Sequence, residues 1–200
     1  MYDLVAITGA GISKASGIPT FEEMGDLRNK LTRSYFNSHP EEFYQGLLAM
    51  KETIDRAEPN PAHLALVEYN IPVITMNIDG LHTRAGSKDL IEVHGNLDFV
   101  SCSKCKKTYD FYQIRESIKC SKCGRILESN VVLYGDMIKD FREAIKMVDG
   151  SKHILVVGTS FYTSTVNDLV YRAKLLDIGV DVINQSAETE LSKYLKKMFG

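Results

Sequence analysis

Short apolar runs punctuate the chain, and each ends on a polar or turn-forming residue. Leu4-Val5-Ala6-Ile7-Thr8 stops at Gly9, and Val73-Ile74-Thr75-Met76, Ile154-Leu155-Val156-Val157-Gly158 and Val180-Asp181-Val182-Ile183-Asn184 have the same form. Runs of four or five β-rich residues bounded in this way predict central parallel strands covered on both faces. Helical stretches intervene at about 61–69, 139–148, 166–177 and 187–198. Strand and helix in alternation predict an α/β fold, a Rossmann-like open parallel sheet with helices on both faces, which binds its ligands at the carboxyl ends of its strands. Thr8-Gly9, Asn77, Gly158-Thr159-Ser160 and Asn184 then fall along that one edge.

Two stretches interrupt the alternation. Residues 21–60 are helical in pattern and poor in buried-strand signals, which predicts a lid-like helical insert, and residues 98–130 form a second insert around four cysteines. The expected organisation is a Rossmann-like domain of residues 1–20, 61–97 and 131–200, a helical and cofactor-loop module of 21–60, and a zinc-ribbon module of 98–130.

Composition adds limits. Two hundred residues suffice for one full core of ~150 residues and a small module. No run of ~18 apolar residues occurs, and no basic segment leads into an apolar one at the start, so no membrane partner and a cytoplasmic location are expected. A formal net charge of −2 supplies no electrostatic argument for nucleic acid.

The cysteines carry the most specific local signal. Cys102/Cys105 and Cys120/Cys123 are two Cys-x-x-Cys pairs, and each presents two thiolates from one tight turn. Two such turns can close a tetrahedron around one zinc ion, and four thiolates leave no open position for water, so the metal is expected to be structural. A redox pair is the competing reading; the lysines around the pairs (Lys104, Lys106, Lys107, Lys122) also admit a zinc-ribbon contact to nucleic acid as a side function.

Gly9-Ala10-Gly11-Ile12-Ser13 follows the first apolar run, and such a turn can expose backbone amides to a phosphate. The ordinary dinucleotide fingerprint fails, because its third glycine position holds Lys14 and no acidic residue clearly ends a second strand ~20 residues on. His94, in Val93-His94-Gly95, reads in isolation more readily as a strand-end cap than as a base.

Taken together these segments resemble the sirtuins, and the chain looks like an atypical, short member. Gly9-Ala10-Gly11-Ile12-Ser13-Lys14-Ala15-Ser16-Gly17-Ile18-Pro19-Thr20-Phe21 is similar to the family's nucleotide-binding segment. The pattern continues in Pro59-Asn60-Pro61-Ala62-His63, Thr75-Met76-Asn77-Ile78-Asp79-Gly80-Leu81-His82, Val93-His94-Gly95-Asn96-Leu97, the cysteine pairs, Val131-Val132-Leu133-Tyr134-Gly135-Asp136 and Gly158-Thr159-Ser160. The resemblance implies an NAD-dependent protein lysine deacylase that releases nicotinamide and O-acyl-ADP-ribose. It implies NAD as co-substrate, structural zinc, and an acyl-lysine protein or peptide as partner.

By the same resemblance, His94 is the general base, with Asn77 and Asp79 beside it in the catalytic set. Gly9, Ala10, Gly11, Ser13, Ile18, Phe21, Met76, Asn77, Ile78, Asp79, Gly158, Thr159, Ser160 and Asn184 hold NAD, and Val132, Leu133, Tyr134 and Gly135 hold the substrate. Cys102, Cys105, Cys120 and Cys123 hold zinc. His63 is expected to be structural and His82 to shape the pocket.

The chain departs from the family pattern at several positions. Glu22 stands where most members have arginine, Met76 where most have glutamine, and Tyr134, Asp136, Thr163 and Thr165 replace Phe, Glu, Val and Pro. Arg28 and Arg33 are candidates for the missing cation. These departures motivate an alternative of another class: a sirtuin-fold protein that binds or cleaves NAD with weak deacylase activity, as an ADP-ribosyl transferase or an NAD sensor. Leu47 falls where members that remove acidic acyl groups carry arginine in Tyr-x-x-Arg, so neutral acyl groups are expected.

Overall fold

The computed structural model describes residues 1–20, 23–159 and 164–200. Phe21, Glu22 and Ser160 to Thr163 lie outside the described residues, and with them the expectations placed on Phe21, Glu22, Ser160 and Thr163.

A five-stranded parallel sheet forms the larger half. It consists of β1 (Val5–Thr8), β2 (Val73–Thr75), β3 (Leu90–Glu92), β7 (His153–Val157) and β8 (Gly179–Ile183), in the order β3-β2-β1-β7-β8. Alternation along the strands sends side chains to opposite faces, and both faces are covered. Ala6, Val73, Leu155 and Val157 pack with α4 (Pro61–Glu68) and α8 (Ala187–Phe199); Val5, Ile7, Ile74, Ile154 and Val156 pack with α6 (Phe141–Asp149) and α7 (Ser164–Leu175). That double burial explains why the runs of β1, β2 and β7 are apolar; β8, expected from its sequence to be a central strand, is instead the terminal strand, with Asp181 and Val182 exposed. β3 was not among the expected strands, because its Leu-Ile-Glu is short and half-buried at the sheet edge.

The two inserts share one core. The first contains α1 (Leu27–Lys30), α2 (Arg33–Ser38) and α3 (Pro40–Arg56); α5 (Leu81–Ala85) follows β2. The second is a small antiparallel sheet of β4 (Phe99–Ser101), β5 (Thr108–Asp110) and β6 (Glu128–Ser129), in the order β5-β4-β6. Phe43, Tyr44, Leu47 and Ile54 of α3 pack with Val100, Phe111, Ile114 and Leu127 of the cysteine module in a single apolar cluster. Leu47 is fully buried there, and the Tyr44 hydroxyl donates to the Leu127 carbonyl. The Tyr44–Leu47 pair therefore belongs to the joint between the inserts.

Candidate functional site

The chain turns to opposite sides of the sheet after β1 and β7, so the switch point of the topology lies between their carboxyl ends. Two glycine turns meet there. Gly9 N donates to Val157 O (3.0 Å) and Gly11 N to Gly158 O (2.8 Å), and residues Ala10–Ser16 continue as a 3-10 helix. A Cβ on Gly11 would stand 2.7 Å from Gly158 O, and one on Gly158, at φ +63, 2.2 Å from Ile12 N. The glycines are thus required by packing of turn on turn. This corrects one reading of the sequence: the amides of Gly9 and Gly11 are committed to β7 and do not point outward to a phosphate. Thr159 N donates to Asn184 Oδ1 (3.1 Å), which gathers Gly158, Thr159 and Asn184 at the same end of the sheet as Gly9 and Gly11.

Beneath the first turn lies a buried polar network. Ser13 Oγ donates to Asp79 Oδ2 (2.7 Å), Asn77 Nδ2 donates to Ser13 Oγ (3.1 Å) and to Asp79 Oδ2 (3.2 Å), and Leu81 N donates to Asp79 Oδ1 (2.9 Å). The Ser13 hydroxyl proton is therefore engaged by Asp79. Asn60 caps α4 through a reciprocal capping box: its side-chain oxygen accepts from Ala62 N (2.9 Å) and its backbone N–H donates to His63 Nδ1 (3.3 Å). That bond leaves the proton of neutral His63 on Nε2, which faces Ser13 Oγ at 3.4 Å. Thr8 gives its hydroxyl proton to Thr75 Oγ1 (2.8 Å), so His82 Nε2 is the donor to Thr8 Oγ1 (2.9 Å), and His82 Nδ1 is left buried without a partner among the described residues. Burial pushes the His63 imidazole down to about 4, against a smaller pull from Asp79, and burial together with His63 pushes His82 down to about 3. Both rings are neutral, and the network is polarised towards the Asp79 carboxylate.

His94 stands at the end of the segment that leaves β3. Its Nδ1 lies 3.1 Å from the Met76 carbonyl, which can only accept, so the neutral ring carries its proton on Nδ1 and keeps a lone pair on Nε2. Burial lowers its pKa, partly opposed by the Met76 contact. Thr165, at the start of α7, places Oγ1 3.5 Å from Nε2. Sequence reasoning noticed Thr165 only as a substitution; no local signal ties it to a histidine 71 positions away.

Residues Val132 to Gly135 form an extended rail between His94 and the helical insert. Val132 N donates to His94 O (2.9 Å), Tyr134 N to Leu31 O (3.0 Å) and Arg33 N to Tyr134 O (3.0 Å). Leu133 is buried and Tyr134 is 55% exposed. Arg33 grips Asp136 with two parallel bonds of 2.8 Å and Glu128 with one of 2.7 Å, and lies over the Phe36 ring. It is therefore committed to the rail and not to a dinucleotide. Ile18 is buried in the shared insert core, Ile78 packs at its margin, and Met76 packs beneath the sheet.

The four cysteine sulfurs lie within 4.8 Å of one another. Sulfurs at ~2.3 Å from a tetrahedral zinc ion are ~3.8 Å apart, so the cluster fits one ion. Each pair sits in a matching turn: Lys106 N donates to Cys102 O and Gly124 N to Cys120 O, at φ +57 and +71. Cys105 N also donates to Cys102 Sγ (3.3 Å), and the Tyr109 hydroxyl lies 3.2 Å from Cys120 Sγ. With all four ligands sulfur, the site suits structural zinc and offers no position for a reacting water.

Comparison with known proteins agrees with this architecture. Residues 9–165 match the model of the Sir2 family. An NAD-dependent protein deacetylase of Sulfolobus acidocaldarius is 34% identical, covering 95% of this chain and 81% of its own. One from Bacillus cereus is 35% identical over 96% and 84%. Among solved structures, Sir2 bound to acetylated peptide superposes with a TM-score of 0.87 at 30% identity, covering 98% of this chain and 92% of that one. A Sir2 complex with the inhibitor EX-527, 2'-O-acetyl-ADP-ribose and deacetylated p53 peptide gives 0.85 at 30% identity, over 98% and 93%. With matching motifs spread from the first strand to the start of α7 and the same fold throughout, this chain belongs to the Sir2 family, the sirtuins.

Proposed function

We propose that this protein is an NAD-dependent protein lysine deacylase, transferring the acyl group of a modified lysine to ADP-ribose with release of nicotinamide. The observation that carries the reading is His94: a neutral imidazole with Nδ1–H fixed on Met76 O and the Nε2 lone pair kept as acceptor. Such a group takes a proton at neutral pH, as a base for a ribose hydroxyl must. The relatives named NAD-dependent protein deacetylase and the Sir2 complexes with acetylated peptide and 2'-O-acetyl-ADP-ribose support the same reaction.

Gly158, Thr159 and Asn184 hold the adenosine side of NAD at the switch point, while Asn77 and Asp79 order the nicotinamide side. The Ser13 bond preorganises the Asp79 carboxylate for that task. The rail Val132–Gly135 lies beside His94 and receives the acyl-lysine peptide. Neutral acyl groups are the proposed substrates, since the position matching the acidic-acyl arginine is Leu47, buried in the joint between the inserts and without a cation to offer. A cytoplasmic site of action fits thiols kept reduced for zinc.

The test incubates the protein with NAD and an acetyl-lysine peptide. Nicotinamide and O-acetyl-ADP-ribose should appear together, and His94→Ala should lower the rate by ~10²–10⁴ while zinc and fold persist. Nicotinamide without deacylated peptide would favour the NAD-cleaving alternative; undiminished turnover by folded His94→Ala would remove the assigned base.

A further inference from the structure

β3 is the terminal strand on its side of the sheet and pairs only with β2 among the described residues. The β2 ladder uses the carbonyl of Asp89 and the amide of Val93. In a parallel ladder the intervening residues alternate outward, so the backbone of Leu90 and Glu92 faces away from β2. Glu92 O is taken by Gly95 N (2.9 Å), which leaves the Leu90 amide and carbonyl and the Glu92 amide along the outer edge. An edge of this kind is a template for another strand.

A cavity of about 540 Å3 runs along that edge. Thr83 and Ser87, on and just after α5, wall it on one side of the sheet, and Asp140 and Glu143 at the start of α6 wall it on the other. It is a slot bounded above and below by helices, where a sixth strand would lie.

Its charge is one-sided. The Glu92 carboxylate is part-buried in the slot and accepts from Asn96 Nδ2 (2.7 Å), with no ion pair among the described residues. Burial raises its pKa, as an uncompensated carboxylate requires. Asp140 likewise has no ion pair among the described residues, Glu143 reaches only Lys146 (3.7 Å), and Lys139 is the one cation in the wall. Ser87 Oγ is buried there without a partner among the described residues.

We propose that this slot binds an extended basic segment of another protein, added to the sheet as a strand along Leu90 and Glu92, with a lysine or arginine side chain received by Glu92. Backbone pairing supplies affinity and the carboxylates select the charge. A second copy of this chain is the poorer occupant, since β3 against β3 brings like carboxylates into one slot. Val93 and Gly95, which flank His94 in the chain, and Val132, whose amide donates to His94 O, line the slot. A partner bound here touches the residues on either side of the base.

The probe is a short fluorescein-labelled peptide of alternating lysine and valine, without acetyl groups, titrated into the full zinc-loaded chain and followed by anisotropy. A glutamate and valine counterpart serves as control. The lysine peptide should bind, the glutamate peptide should not, and amide NMR shifts should concentrate at Leu90 and Glu92. Glu92→Gln should weaken binding about tenfold, as expected for losing a charge-assisted contact. Leu90→Pro, which removes an outward edge amide at a position where proline is tolerated, should do likewise. Neither change should release zinc. Equal binding by wild type and both variants, or equal binding of the acidic peptide, would overturn the proposal. So would a dimer in sedimentation that Leu90→Pro abolishes, since it would assign the slot to a second copy.

Discussion

The parallel sheet and the cysteine module solve the same stability problem in opposite ways. Val5–Thr8 is buried throughout, as are four of the five residues of β7, and each face of the sheet meets two helices. The antiparallel strands of the cysteine module have only three, three and two residues, and its apolar side chains find their core against α3. Burial in the sheet is distributed over many contacts, each worth a few kcal/mol at most, so damage is graded. The module relies on four bonds to one ion, of order 10 kcal/mol together, so damage is all or none. His94 and the Val132–Gly135 rail lie between the two, which makes the site sensitive to both.

The largest effect should come from the metal. Cys102→Ser or Cys123→Ser should release zinc and abolish activity, while circular dichroism retains the signal of the α/β half. Survival of activity after a chelator has removed all zinc would show that the module is held by its α3 contacts alone. The sheet half should respond in a graded way. Gly11→Ala forces a Cβ against Gly158 O and should cost ~1–3 kcal/mol, a fall in Tm of ~2–4 °C per kcal/mol, with zinc content unchanged. An unaltered melting curve would mean that the two glycine turns pack loosely.

Acid sharpens the contrast further. His63 and His82 have folded pKa values of about 4 and about 3, below the ordinary value of ~6.5, so the unfolded chain takes up protons first as pH falls. Their contribution to stability is complete above ~6.5 and declines as pH drops towards the folded values. Tm should therefore fall between pH ~6.5 and ~4, with both imidazoles still neutral at pH ~5 by NMR; protonated rings at that pH would contradict the buried network. The smallest expected effect is in the module. Lys106 adopts φ +57 at the position where the second cysteine turn has Gly124, so Lys106→Gly should leave stability unchanged or raise it by at most ~1 kcal/mol. A marked loss would show that the Lys106 side chain, and not its backbone, matters in the turn.

Much of this was legible in the sequence because the signals are local. Each uniformly apolar strand needs only its own residues to announce burial on both faces, and two Cys-x-x-Cys turns declare a four-sulfur cluster by spacing alone. β3 escaped because a three-residue, half-buried edge strand has no period to read.

What the tertiary structure decided are choices between partners far apart in the chain. The sequence determined that Gly9, Gly11 and Gly158 are glycines in turns. Only the register of β1 against β7 shows that they serve each other, consuming amides that the motif by itself assigns to a phosphate. The sequence likewise determined that Ser13, Asn77 and Asp79 are polar residues near strand ends, and that Arg33 is a cation in a helical insert. Folding turned the serine onto the aspartate and the arginine onto Asp136 and Glu128. The physical reason is that a buried polar or charged group must be satisfied by whatever donor or acceptor the packing brings near, and over separations of 60 to 100 residues that neighbour is set by strand order and register.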